Sequence, residues 1–323
     1  MRTARIVTAT LVAIGGSHVL GAAALSQFYP SKPIKIIVPL TAGSPVDVVG
    51  RLVGNYLSTA FRQPVIIENR PGAGATIGAK AVAGAEADGY TLLHTAANHV
   101  IAPAAFRNLS YDPLKDFVPV GATATSPFVV VVSPKLPVRT IAELVAYSKA
   151  NPRTLNWGYG LGTSPHLIGE LFKHHTKADI AAIPYKGGAN AITDLLSGQI
   201  QMNIGTTATL VPLVRAGKLR AIAVIGEERY ADLPDVPTMA ESGVPLTFTF
   251  WTGMLAPAAI PPGVLKSLNA TLNEVLANPQ LKASMAKLGL LPNPGTPQAF
   301  GTFLEKERRA WAEAVRLTGV KIE

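Results

Sequence analysis

Short apolar runs alternate with amphipathic stretches along most of this chain, and Gly, Pro and Asn fall between them. The runs Ile34–Leu40, Val65–Glu68, Tyr90–Thr95, Phe128–Val132, Asn156–Trp157, Ile180–Ile183, Gln201–Ile204 and Leu219–Val224 read as strands. Several are almost wholly apolar, as strands covered on both faces are. Helical spacing marks the segments between them. Thr140-Ile141-Ala142-Glu143 has the form of a capping box, with an apolar stripe of Ile141, Leu144 and Val145 behind it. Val264, Leu265, Leu268, Leu272, Val275 and Leu276 form a second stripe that opens on Pro261 and Pro262, and Gln298–Thr318 a third. This alternation predicts an α/β fold of doubly wound, mostly parallel sheets.

Two segments are longer and extended. Val118–Val132 is apolar and interrupted by Ser126-Pro127, and Leu246–Ala256 is rich in Thr and Phe. They predict that the chain crosses twice between two lobes joined by a two-strand hinge. Lobe 1 is expected over 27–126 plus 250–323, and lobe 2 over 127–249. Phe128, Phe250 and Trp251 fall at these crossings and are expected to pack there.

Each expected lobe carries a strand that runs into a loop of small residues opening a helix. In the first the loop is Leu40-Thr41-Ala42-Gly43-Ser44, followed by Pro45 and an amphipathic run. In the second it is Gly158-Tyr159-Gly160-Leu161-Gly162-Thr163-Ser164, followed by Pro165. Such loops present backbone N–H groups and the positive end of a helix to one spot, which favours an anion. Ligands of open α/β sheets bind beyond the carboxyl ends of strands, where both loops lie. Two loops facing each other are therefore expected to grip a small carboxylate from both sides.

A series of motifs extends this reading. In order they are Tyr29-Pro30-x-Lys32-Pro33-Ile34, Val38-Pro39 with Ala42-Gly43 and Asp47, Glu68-Asn69-Arg70-Pro71-Gly72-Ala73-Gly74, and Asp88-Gly89-Tyr90-Thr91-Leu92-Leu93. Then come Tyr111-Asp112-Pro113 with Asp116-Phe117, Gly162-Thr163-Ser164-Pro165-His166-Leu167, Pro184-Tyr185-Lys186-Gly187, and Leu233-Pro234-Asp235-Val236-Pro237-Thr238 through Glu241-Ser242-Gly243. In this order and spacing the chain resembles the periplasmic substrate-binding receptors of tripartite tricarboxylate transporters, the Bug type. The resemblance implies a type II periplasmic binding protein fold. It also implies capture of a small carboxylate and delivery to integral-membrane permease subunits, with no bond made or broken.

The resemblance further implies that amides of the two loops hold a ligand carboxylate, often through water. By position these are Leu40, Thr41, Ala42, Gly43 and Ser44, and Gly160, Leu161, Gly162, Thr163 and Ser164. Tyr185, Gly187 and Gly188 are expected to close another side. The chain departs from the family pattern in two places. Ser44-Pro45 stands where the family continues with Gly, which removes one N–H donor, although Ser44 suits an N-cap and Pro45 a first turn. Tyr159 stands where the family has two small residues. A phenol at the cleft mouth is expected to narrow the pocket or stack on a ring, and with Trp157 it favours an aromatic or compact acid, a dicarboxylate among them.

Composition restricts the alternatives. Of 323 residues 48% are hydrophobic and 15% charged, enough apolar material for two ordinary domains. The formal charge of +9, or +7 without Arg2 and Arg5, suits attraction of anions. It forms no basic tract or aromatic-interleaved stripe, so no nucleic-acid partner is expected. There is no cysteine, which excludes thiol catalysis, thiolate metal sites and a lipidated cysteine anchor. A basic start, an apolar run Ile6–Leu20 and Ala22-x-Ala24 predict a signal peptide over 1–24 and a periplasmic protein, expected to be a monomer.

Single residues are read in the same way. Asp47, one turn into its helix, complements the helix dipole or meets a ligand through water. Asn98 is chosen as a polar contact at the end of a first-lobe strand. His166 is expected to be packed and hydrogen-bonded, and His174-His175 to lie on the surface. No histidine has metal-site spacing and no cofactor is expected. A secreted hydrolase using Ser164 with His166 lacks both the last glycine of a nucleophile elbow and an orienting carboxylate. A receptor that presents its ligand to a membrane sensor kinase shares every feature named above.

Overall fold

The computed structural model describes residues 29–185 and 188–322. The expected signal peptide over 1–24 and the expected site residue Gly187 lie outside them. In chain order the elements are β1 (Ile34–Val38), α1 (Pro45–Phe61), β2 (Val65–Asn69), α2 (Thr76–Ala83), β3 (Thr91–Ala96), α3 (Asn98–Ala105) and β4 (Phe117–Val132). Next are α4 (Ile141–Ala150), β5 (Leu155–Gly160), α5 (Ser164–Thr176), β6 (Ile180–Tyr185), α6 (Gly188–Ser197), β7 (Met202–Thr206), α7 (Thr207–Arg215) and β8 (Arg220–Ile225). The chain continues through β9 (Thr249–Pro257), α8 (Pro262–Ala277), α9 (Pro279–Lys287), β10 (Leu291–Pro292) and α10 (Pro297–Thr318).

The strands run in the order β2-β1-β3-β9-β4-β7-β5-β6, with β8 and β10 also paired to β4. β1 is parallel to β2 and β3, and β5 is parallel to β6 and β7. Between these parallel sets lie the two extended segments. β9 is antiparallel to β3 and to Phe117–Pro127 of β4, while Phe128–Val132 of the same strand lies against β7 and β8. One strand thus serves two sets of strands, a first half built on β1 and a second built on β5. Ser126-Pro127 does not break β4, contrary to expectation. Proline lacks an N–H, and Pro127 stands where β4 leaves β9 for its second set of neighbours, so the strand continues. β9 begins at Thr249, three residues later than the predicted segment.

Core residues follow the periodicity. Ile34, Ile36, Ile37 and Val38 of β1 and Phe128–Val132 of β4 are all essentially inaccessible, as strands covered on both faces must be. Helix α10 is fastened to β9 by a shared acceptor: the indole N–H groups of Trp251 and Trp311 both donate to Glu307 Oε2, at 2.7 and 2.9 Å. Trp311 also stacks on Phe248 with ring centroids 4.5 Å apart.

Two predicted boundaries move in ways that matter for the site. β5 extends through Gly160, so Gly158, Tyr159 and Gly160, expected in a loop, are strand residues paired with Ile183, Pro184 and Tyr185. Gly158 permits this because a Cβ there would stand 2.8 Å from Ala191 Cβ and 2.7 Å from Ile200 Cδ1. Asn98, expected at the end of a first-lobe strand, opens helix α3 two residues past β3.

Candidate functional site

Parallel strands place their carboxyl ends side by side. The chain leaving β1 at Leu40 and the chain leaving β2 at Arg70 are neighbours, tied by Arg70 N donating to Val38 O at 2.8 Å and Asn69 Nδ2 donating to Leu40 O at 3.1 Å. In the second half the chain leaves β5 at Leu161. The two ends meet: a Cβ on Gly162 would stand 3.4 Å from Gly74 Cα and 2.9 Å from Ile322 Cδ1, both in the first half. The second small-residue loop therefore lies against the first half, at the turn that follows β2.

The first loop is tightly organised. Ser44 caps α1, its Oγ accepting from Asp47 N at 3.3 Å, with Pro45 in the first turn, as the sequence predicts. Gly43 takes φ +78°, a conformation that favours glycine. Its N–H donates to Asp47 Oδ2 at 2.9 Å, and Ser44 N donates to Thr41 O at 3.2 Å. Asp47 is 2% exposed and accepts further from Arg51 Nε at 3.0 Å and Asn69 Nδ2 at 2.8 Å. Burial alone would raise its pKa, but Arg51, the Gly43 amide and Asn69 hold the carboxyl below the usual range. Asp47 is thus the internal acceptor that shapes the loop.

The second loop repeats the device with different chemistry. Gly162, φ +72°, donates its N–H to His166 Nδ1 at 3.4 Å, and Thr163 N donates to Gly160 O at 3.3 Å. His166 is 5% exposed, and burial, with the charge of Lys173, lowers its pKa to about 4, so the ring is neutral and Nδ1 accepts. Its face stacks on Tyr159, centroids 4.1 Å apart and planes 8° from parallel. The two glycine amides, Ser44 N and Thr163 N are therefore occupied within the protein rather than free, as loops this sharp satisfy their own donors first. Among the described residues no acceptor meets the amides of Thr41, Ala42, Leu161 and Ser164.

The remaining expected residues sit as follows. Tyr159 packs on His166 and tilts against Trp157 at 4.9 Å, so the stacking partner expected in a ligand lies inside the protein. Trp157 is 1% exposed and rests on Gly169. Tyr185 ends β6 and donates its hydroxyl to Asp194 Oδ2 at 2.7 Å; burial and that carboxylate push its pKa up to about 12. Asn98 is buried at the start of α3, its Nδ2 donating to Thr95 Oγ1 at 3.4 Å. His174 and His175 are exposed. Sequence reasoning missed Asn69, which joins Leu40, Asp47 and Arg51, and the Gly72–Ala75 turn that meets the second loop. The signal was present in Glu68-Asn69-Arg70-Pro71-Gly72, a polar strand end followed by breakers.

Paired α/β halves, each with a glycine-pivoted loop at the carboxyl end of a parallel strand, fit a two-lobed solute-binding protein. The chain belongs to the tripartite tricarboxylate transporter family receptors, whose model matches residues 49–320. It is 36% identical to the protein BugT of Bordetella pertussis over 299 residues, 91% of this chain and 92% of BugT. Among solved structures it is similar to R. palustris Rpa4515 with adipate, at 34% identity and TM-score 0.85 over 90% of this chain and 98% of that one. It is also similar to MatC from Rhodopseudomonas palustris with bound malate, at 30% identity and TM-score 0.83 over 89% and 99%. The family consists of solute-binding receptors of transport systems, not enzymes, and its members are periplasmic.

Proposed function

We propose that this chain binds a small dicarboxylate in the crevice between its halves and delivers it to integral-membrane permease subunits. The observation that carries the reading is the matched pair of loops, each with two amides that meet no acceptor among the described residues, the second loop lying beside the first half. An anion supplies the missing acceptors, and the N-termini of α1 and α5 add to its attraction. Relatives at 34% and 30% identity hold adipate and malate, both dicarboxylates. The aromatic acid favoured by Tyr159 and Trp157 loses its support, because both rings are engaged internally.

In this reading the contacts are Thr41, Ala42, Leu161 and Ser164 through their amides. Leu40, Gly43, Ser44, Gly160, Gly162 and Thr163 shape the two loops, and Asp47 locks the first of them. Tyr185 and Asn98 stand at neighbouring strand ends as walls. Lobes 27–126 plus 250–323 and 127–249 move about β4 and β9, and closure around ligand presents one shape to the permease. Export by the N-terminal segment places the protein in the periplasm.

The test is a thermal-shift series with malate, adipate, shorter and longer dicarboxylates, aromatic acids and acidic amino acids. At least one dicarboxylate is expected to raise Tm in a concentration-dependent way. Absence of any shift across the acids would contradict the reading.

A further inference from the structure

Helix α10 ends at Gly319, φ +68°, and the chain after it turns back along the first half. Ile322 N donates to Ala105 O at 2.8 Å, and Ile322 pairs with Phe106 as a single parallel bridge. Phe106 in turn covers Gly74, where a Cβ would stand 2.6 Å from its Cζ. Ile322, Phe106 and Gly74 thus form one first-half cluster. Ile322 is 4% exposed, and part of what covers it belongs to the other half: a Cβ on Gly162 would be 2.9 Å from its Cδ1. A first-half side chain rests on the pivot glycine of the second-half loop.

Such a contact exists only while the halves touch. Separating them exposes Ile322 and Gly162 to water, which costs apolar burial. We propose that Ile322 is a positioning residue for ligand binding: its side chain holds the Gly162 loop against the first half and so favours the closed conformation. This rests on the reading of the crevice as a ligand site, but the closure contact itself is testable without ligand.

The chain has no cysteine, so Lys80→Cys on α2 and Thr193→Cys on α6, both exposed and one in each half, take spin labels without competing thiols. Pulsed distance measurements on the labelled protein, with and without malate or adipate, are compared for Ile322, Ile322→Val and Ile322→Ala. Ile322→Ala is expected to move the unliganded distribution to longer distances, and Ile322→Val to lie between. If the closed fraction falls tenfold, the apparent Kd for whichever acid binds rises about tenfold. Circular dichroism of each variant verifies that it folds. Unchanged distances in folded Ile322→Ala would overturn the proposal. Lengthened distances with no acid bound by the unsubstituted protein would leave the closure role standing and contradict the dicarboxylate reading instead.

Discussion

Gly162 donates its amide to His166 Nδ1 at 3.4 Å, four residues ahead, just as Gly43 donates to Asp47 Oδ2 at 2.9 Å. In both loops a glycine at positive φ turns the chain, and a side chain from the first helical turn accepts its N–H. One acceptor is a neutral ring and the other a carboxylate with two further donors. The two loops have equivalent geometry but unequal strength, and the predictions follow from that inequality.

Removing Asp47 is expected to be the costlier change. Asp47→Ala leaves Gly43 N, Asn69 and Arg51 without their acceptor and is expected to destabilise the protein by about 2–4 kcal/mol. Asp47→Asn retains acceptor oxygen and loses less. Urea unfolding of both variants checks the order.

Replacing His166 is expected to affect binding more than stability. His166→Ala frees Gly162 N and removes the ring under Tyr159. One neutral hydrogen bond is worth about 1 kcal/mol, so ligand affinity is expected to fall roughly five- to tenfold. Titration calorimetry with the acid identified by thermal shift measures it, and equal Kd values would remove His166 from the loop's support.

Both pivot glycines resist alanine for conformational reasons, at about 1 kcal/mol each. Their surroundings differ. A Cβ on Gly43 meets nothing within 4 Å, whereas one on Gly162 meets Ile322 and Gly74. Gly162→Ala is therefore expected to weaken binding more than Gly43→Ala, and the reverse order in paired titrations would count against the crevice geometry.

Acid is expected to destabilise the fold well above the carboxylate range. His94, His99 and His166 are each lowered from 6.5 to about 4, by burial in every case, with Lys173 adding at His166. The unfolded chain binds these protons near pH 6.5 and the folded protein only near pH 4, so stability falls as pH drops through that window. Asp47, held low, adds its loss only below the ordinary carboxylate pKa. Urea midpoints from pH 7 to 4 are expected to decline with net proton uptake on unfolding, and His99→Gln to flatten the slope.

The core strands were legible because strands buried on both faces are written as unbroken apolar runs: Ile34–Val38 and Phe128–Val132 appear where their composition put them. The two long extended segments were legible by length, as β4 over Phe117–Val132 and β9 over Thr249–Pro257. What escaped was set by contacts distant in sequence. Nothing local to Gly158-Tyr159-Gly160 says strand; pairing with Ile183–Tyr185 and the close approach of Ala191 decide it. Likewise Tyr159 looked available for a ligand because its partner, His166, becomes a neighbour only once α5 folds back over β5. The loops themselves were readable, but which of their amides stay unpaired was not, since Asp47, Asn69 and His166 all act through side-chain geometry.

The central claim is that backbone N–H groups from both halves receive one acidic ligand. Amide chemical-shift mapping on isotope-labelled protein, titrated with the dicarboxylate that raises Tm, tests it directly. Thr41, Ala42, Leu161 and Ser164 are expected to shift together along one binding isotherm, with the pre-occupied amides of Gly43 and Gly162 moving less. Saturable binding that leaves these four amides unmoved, or moves those of only one half, would contradict it.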